Sequence, residues 1–144
     1  MLTYRVTRTI TGRLSSGDDV YDSLIRVVQQ HGITLGRITG LGAVQQATFA
    51  YYDQKELQYL KLSLDEPMEI LHLSRNISMR DGAPFVHAHI VLSDRTGRCV
   101  GGHLLPGSRV FACEISIDEF KGPALTREFD QQTGLALWGT KAVL

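Results

Sequence analysis

Three histidines carry the chemistry this sequence offers. His87 and His89 stand two apart in Pro84-Phe85-Val86-His87-Ala88-His89-Ile90-Val91-Leu92, and His103 follows in Cys99-Val100-Gly101-Gly102-His103-Leu104. Side chains alternate along a β-strand, so His87 and His89 project from one face while Val86, Ala88, Ile90 and Leu92 take the other. Neutral imidazoles bind zinc and similar divalent ions, and three on one face leave a further position open to water or a ligand. An ion held that way polarises a carbonyl or phosphoryl oxygen, or generates hydroxide near neutral pH. The competing reading is a polar cleft or subunit interface in which the rings serve only as hydrogen-bonding groups. The residues alone leave both open.

Bringing His103 to the pair requires a hairpin. Asp94-Arg95-Thr96-Gly97 is a turn sequence between two strand-like runs, Phe85 to Ser93 and Cys99 to Leu105. A turn centred on Thr96 and Gly97 pairs position i with roughly 193 minus i, which sets His103 near Ile90 and His89. Gly101 and Gly102 would then permit a bulge that swings the imidazole toward the pair. Ligating histidines need acceptors for their other ring nitrogens, and Glu69 and Glu114 are the candidates among the expected strands. His72, on the face with Ile70 and Ser74, is a further candidate for the same cavity, and Cys99 a soft ligand. His31 fits better as a residue at a helix C-terminus, where the dipole favours a cation. Cys113, on one face with Phe111, Ile115 and Ile117, reads as a buried reduced thiol.

The elements that must position these residues are mostly strands. Residues 2–10 alternate, with Leu2, Tyr4 and Val6 on one side. Ser15, Ser16, Gly17 and Asp18 form an N-cap region, and from Asp19 to His31 the apolar positions Val20, Leu24, Val27 and Val28 recur at helical spacing, with Ile25 beside them. Gly32 stops that helix as a left-handed residue would. Strands are predicted over 33–38, 43–53, 57–64, 68–78, 85–93, 99–105 and 109–117. A last hairpin joins 125–129 to 135–138 through Asp130-Gln131-Gln132-Thr133-Gly134, where Phe129 and Trp138 would close the core or cover a neighbouring subunit. Glycines gather at 36, 40 and 42 and again at 97, 101, 102 and 107, marking turns, bulges or close backbone approach. One principal helix with seven to nine strands joined by short turns implies an α+β fold, a mostly antiparallel β-sheet in a single domain over residues 1–144.

Composition narrows the function classes. Fifteen basic residues balance fifteen acidic ones among 144, and 43% are hydrophobic. Such a chain buries a core without a disulfide scaffold, and two cysteines suggest none. No stretch approaches the ~20 apolar residues of a helical membrane span, and MLTYRVTRTITGR lacks the apolar block of a secretory signal, so the expected compartment is the cytoplasm. Zero net charge opposes strong non-specific binding to nucleic acid, which needs a basic excess to displace counterions. The local excess of Arg5, Arg8 and Arg13 reads as a solvated strand edge rather than a groove-binding arm.

Pro84-Phe85-Val86-His87-Ala88-His89-Ile90, then Gly101-Gly102-His103-Leu104 and Pro106-Gly107, resemble the signature of the plants-and-prokaryotes conserved (PPC) domain. Arg37-Ile38-Thr39-Gly40-Leu41-Gly42-Ala43-Val44 and Glu69-Ile70-Leu71-His72-Leu73-Ser74 are similar to further stretches of it, although Glu66-Pro67-Met68 stands where the family has a glycine-arginine-phenylalanine element. The resemblance spans nearly the whole chain. It implies a compact α+β domain that assembles as a homotrimer, with His87, His89 and His103 holding zinc or another divalent metal. In plant members the domain accompanies an AT-hook and mediates association with other proteins, and prokaryotic members are labelled DNA-binding by that association. The arginine-glycine-arginine-proline core of an AT-hook is missing here.

Three function classes follow. The first is a trimeric stand-alone domain whose histidine-lined site binds a divalent metal, zinc foremost, or a small ligand. The alternative is a DNA-binding or transcription-associated regulatory protein acting through trimer and protein–protein contacts. A metal-dependent enzyme acting on a small acid or phosphate is the third, and no evident general base beside the histidines supports it.

Overall fold

In the computed structural model, which describes residues 2–139 and residue 142, the strands run β1 (Arg5–Leu14), β2 (Gly36–Asp53), β3 (Gln58–Leu64), β4 (Met68–Arg80), β5 (Ala83–Ser93), β6 (Cys99–Leu104), β7 (Arg109–Lys121), β8 (Arg127–Asp130) and β9 (Leu135–Trp138). The helix α1 spans Val20–Gln30. The mostly antiparallel sheet with one helix is therefore observed. Among the described residues, no helix is long and apolar enough to cross a membrane.

The principal sheet has the order β1-β7-β2-β4-β5-β6, with β3 beside β2. Its 18-residue strand β2 was expected as two strands, but the chain runs on through a bulge between Gly40 and Gly42. The length of β2 decides the architecture. Its first half is flanked by β7 and β4, its second half by β3 and β6. The path β2-β4-β5-β6 thus returns to β2, where Phe49 faces Leu104 and Ala50 faces His103. A sheet curled on itself covers an edge that would otherwise expose unpaired backbone groups.

That closure explains the second glycine cluster. A Cβ on Gly101 would collide with the Ile90 carbonyl oxygen, and one on Gly102 with that of Ala50. The two glycines let β6 fit between β5 and β2 without a bulge: the β5–β6 ladder runs unbroken from Ser93↔Cys99 to His89↔His103.

Asp19 caps α1, accepting from the Asp22 backbone N–H at 2.9 Å. Its other carboxylate oxygen accepts from the Gly107 and Ser108 N–H groups at 2.7 and 2.9 Å, which ties the helix to the turn after β6. The cap lies one residue beyond the expected 15–18 segment. Gly32 follows the helix at φ 63°, as predicted. Val20, Leu24 and Val28 are almost fully covered and join Ile38, Leu73, Ile77, Ile90, Leu104 and Ile117 in one core. Each such side chain contributes about 1.5–3 kcal/mol of transfer free energy.

One expectation fails at a strand irregularity, and another is narrowed. Cys113, Ile115 and Ile117 are buried, but Phe111 is 61% exposed because register shifts between Ala43, Val44 and Gln46 turn β7 over before Cys113. The β8–β9 hairpin forms as a separate two-stranded sheet with Phe129 and Trp138 exposed, so of their two expected roles closing the core is excluded and covering a neighbouring subunit stays open. It is pinned to β4 by the Met79 N–H donating to the Leu125 carbonyl at 2.9 Å, and to β2 by Tyr52 Oη donating to the Thr133 carbonyl at 2.6 Å.

Candidate metal centre

His87, His89 and His103 converge on the face of β5 and β6 turned away from the core. The ring centroids of His87–His89, His87–His103 and His89–His103 lie 5.1, 5.1 and 5.5 Å apart. One nitrogen from each ring lies within 4.8 Å of the others. The observed register sums to 192, one less than expected, and this decides the site. A one-residue slip moves a side chain to the opposite face. With His103 directly opposite His89, both rings share a face and no bulge is needed.

Neighbouring strands supply the walls. Across the β4–β5 ladder, Asn76 faces His87 and Ser74 faces His89. Tyr59, on β3, lies with its ring 4.8 Å from that of His103. The β8–β9 hairpin brings Arg127, whose Nε donates to Ser78 Oγ at 3.1 Å, Nη1 to the Ala136 carbonyl at 2.7 Å and Nη2 to Asn76 Oδ1 at 2.7 Å. Burial, then Arg127 and the other histidines, hold His87 down at about 4, and burial, His89 and Arg127 do the same for His103. Both rings are consequently neutral at pH 7, with a lone pair free on each.

The other sequence candidates lie elsewhere. His72 follows a register shift in β4 and lines a groove on the sheet with Thr11, Leu41, Leu71 and Glu114. Glu114 is therefore away from the trio, and Glu69 sits opposite Ser93, six residues along β5 from His87. Cys99 is exposed, also opposite Ser93, and does not belong to the ligand group. His31 is the C-cap of α1, its N–H donating to the Val27 carbonyl while the Gly32 N–H donates to that of Gln29.

Sequence reading missed Arg127, Tyr59 and Asn76. Asp81-Gly82 between two strand-like runs was a hairpin signal that would have set Asn76 beside His87. Arg127 gave no local signal, because its side-chain partners on β4 are 49 and 51 residues away.

The donor set fits a divalent transition ion. Nδ1 of His103 is buried without a hydrogen-bond partner among the described residues, and such an atom costs about 1–3 kcal/mol unless something satisfies it. Three imidazole ligands suit zinc, copper, iron or nickel better than magnesium or calcium, which prefer oxygen.

Comparison with known proteins agrees with this architecture. The chain belongs to the Plants and Prokaryotes Conserved (PCC) domain family, whose model matches residues 1–121. A metal-containing protein from Archaeoglobus fulgidus superposes with a TM-score of 0.91 at 40% identity, covering 96% of this chain and 97% of that one. A plant- and prokaryote-conserved protein from Pyrococcus horikoshii gives 0.90 at 31% identity, covering 95% and 94%. The bifunctional protein GlmU of Synechococcus sp. (strain JA-3-3Ab) is 36% identical over 124 residues, 85% of this chain. The present chain spans only 19% of that protein's length.

Proposed function

We propose that the protein binds one divalent transition ion per chain, zinc foremost, through His87, His89 and His103, in a domain that assembles as a homotrimer. The observation that carries this reading is the convergence of three ring nitrogens within 4.8 Å of one another, at a site where the buried His103 Nδ1 has no partner among the described residues. The metal content of the 40%-identical Archaeoglobus fulgidus protein supports it. A bound ion would supply Lewis acidity to a small ligand in its open position. The chain's own residues do the positioning: the β5–β6 ladder aligns His89 with His103, and the β4–β5 ladder sets Asn76 opposite His87.

Self-association draws support from exposed apolar side chains of the sheet, Leu41 and Leu71 along one groove and Phe111 on β7. DNA binding draws less. Arg8 is engaged by Glu119 at 2.6 Å, Arg37 by Asp118 at 2.8 Å, and Arg13 stands opposite Glu114, so these basic residues are offset by acids. Elemental analysis of untagged protein purified without chelator tests the metal. Near-stoichiometric zinc is expected, and no metal after zinc is supplied would overturn the assignment.

A further inference from the structure

The cleft beside the histidines carries a charge that the metal reading does not use. Arg127 is 8% exposed, and its three acceptors are a hydroxyl, a carbonyl and an amide oxygen, all neutral. Two of its five N–H groups remain beyond those three bonds. A buried guanidinium normally meets a carboxylate, because desolvating a charge without an opposite one is costly. The cleft of about 270 Å³ is lined by Arg127, Arg80, His87, His103, Tyr59, Phe85, Phe129, Gly134 and the backbone or side chains of 135–137, with no Asp or Glu among them. Arg80 does have an acidic neighbour, Asp81 at 3.4 Å, but that carboxylate is 88% exposed and screened by water. Both guanidiniums lie about 5 Å from the Phe85 ring, at 5.2 and 5.3 Å.

We infer that this cleft is the binding site for a small organic carboxylate with an aromatic or apolar body. The inference rests on the metal reading for the occupant of the histidines, since an ion there adds positive charge to a cleft already lacking an anion. Arg127 and the ion attract the carboxylate in a partly desolvated setting where charge–charge attraction exceeds its value in water. Phe85, Phe129 and Leu137 offer apolar contact to the remainder of the ligand. The volume lies just below the ~300–1,000 Å³ of drug-sized pockets, which keeps the ligand small.

Titration calorimetry with zinc-supplied protein of measured zinc content tests this, using benzoate, its neutral analogue benzamide, acetate and inorganic phosphate. Benzoate is expected to bind at least tenfold more tightly than benzamide and more tightly than acetate or phosphate. Arg127→Gln is expected to weaken benzoate at least tenfold with zinc content unchanged. The wild-type comparison needs no variant to fold, and Phe129→Ala, at a 71% exposed position, provides a second: it should weaken benzoate and leave acetate unaltered. Equal binding of benzamide and benzoate, preference for phosphate, or undiminished benzoate binding by Arg127→Gln would each overturn the proposal. Zinc content separates the two readings: protein that takes up no zinc yet binds benzoate through Arg127 would refute the metal site and sustain the carboxylate subsite.

Discussion

Arg75 and Arg127 lie on the two sides of strand β4 and meet opposite fates. Arg75 follows Leu73 and precedes Ile77 on the core side, is 4% exposed, and has no hydrogen-bond partner for Nε, Nη1 or Nη2. Burial draws its pKa down to about 9, with Cys113, Tyr21 and Asp19 opposing, so it remains charged at pH 7. Arg127 reaches the other side of β4, where Asn76 and Ser78 accept its N–H groups beside an open cleft. One cation is enclosed without a hydrogen-bond partner, while the other is held in position next to room for a ligand. The difference shows that buried charge is informative only with its surroundings: bonding and adjacent space mark a binding group, and enclosure alone marks a cost to stability.

The largest expected effect is at the ligands that set the two sides apart. His87→Ala and His103→Ala should each reduce zinc from about one per chain to a small residue by elemental analysis, whereas Arg75→Met should leave zinc content unchanged. Metal retained in full by both histidine variants would end the assignment of a centre to the cleft side.

Stability then separates the arginines by sign. Arg75→Met exchanges an unpartnered guanidinium for an apolar chain of similar length and should raise unfolding stability by about 1–4 kcal/mol. Arg127→Met orphans the acceptors on Asn76 and Ala136 and loosens the β8–β9 hairpin, costing about 1–3 kcal/mol. Urea midpoints at pH 7 measure both, and shifts in the same direction would break the contrast.

Acid sharpens the cleft side further. His87 and His103 in metal-free protein hold their pKa values near 4, below the ordinary 6.5. Between those values the unfolded chain binds more protons than the folded one, so their contribution is fully present above pH 6.5 and is lost as pH falls toward 4. Chelator-treated protein should lose urea resistance over that window, and the double variant His87→Gln/His103→Gln should show a shallower loss. Equal slopes would mean that the rings titrate as in the unfolded chain.

The smallest effect on the fold, though not on assembly, is expected at the exposed apolar face. Leu71→Glu, at a position already open to solvent, should change unfolding of the single chain by no more than about 0.5 kcal/mol. It should convert the proposed homotrimer to monomer in light scattering. Monomeric wild-type protein would remove the assembly reading.

Much of this was legible locally. Alternation in Val86-His87-Ala88-His89-Ile90 set two imidazoles on one face, the Asp94–Gly97 turn returned the chain, and the spacing of Val20, Leu24 and Val28 marked the buried side of the helix. These signals lie within a few residues of one another, where backbone periodicity and turn chemistry dominate. The outward position of Phe111 and the continuity of β2 were not legible, because bulges change the phase of a strand without a distinctive local pattern.

The sequence by itself determined the α+β class, the helix and its stop, the hairpins, and the trio of histidines as the place to look for a metal. Tertiary structure decided the single-residue register that puts His103 opposite His89, and the closure of β6 onto β2 that makes Gly101 and Gly102 necessary. It also decided the arrival of Arg127 from a hairpin about fifty residues beyond its partners on β4. The physical reason is range: a strand's alternation is written in each pair of neighbours, whereas which strands meet, and in what register, is settled by the packing of side chains far apart in the chain.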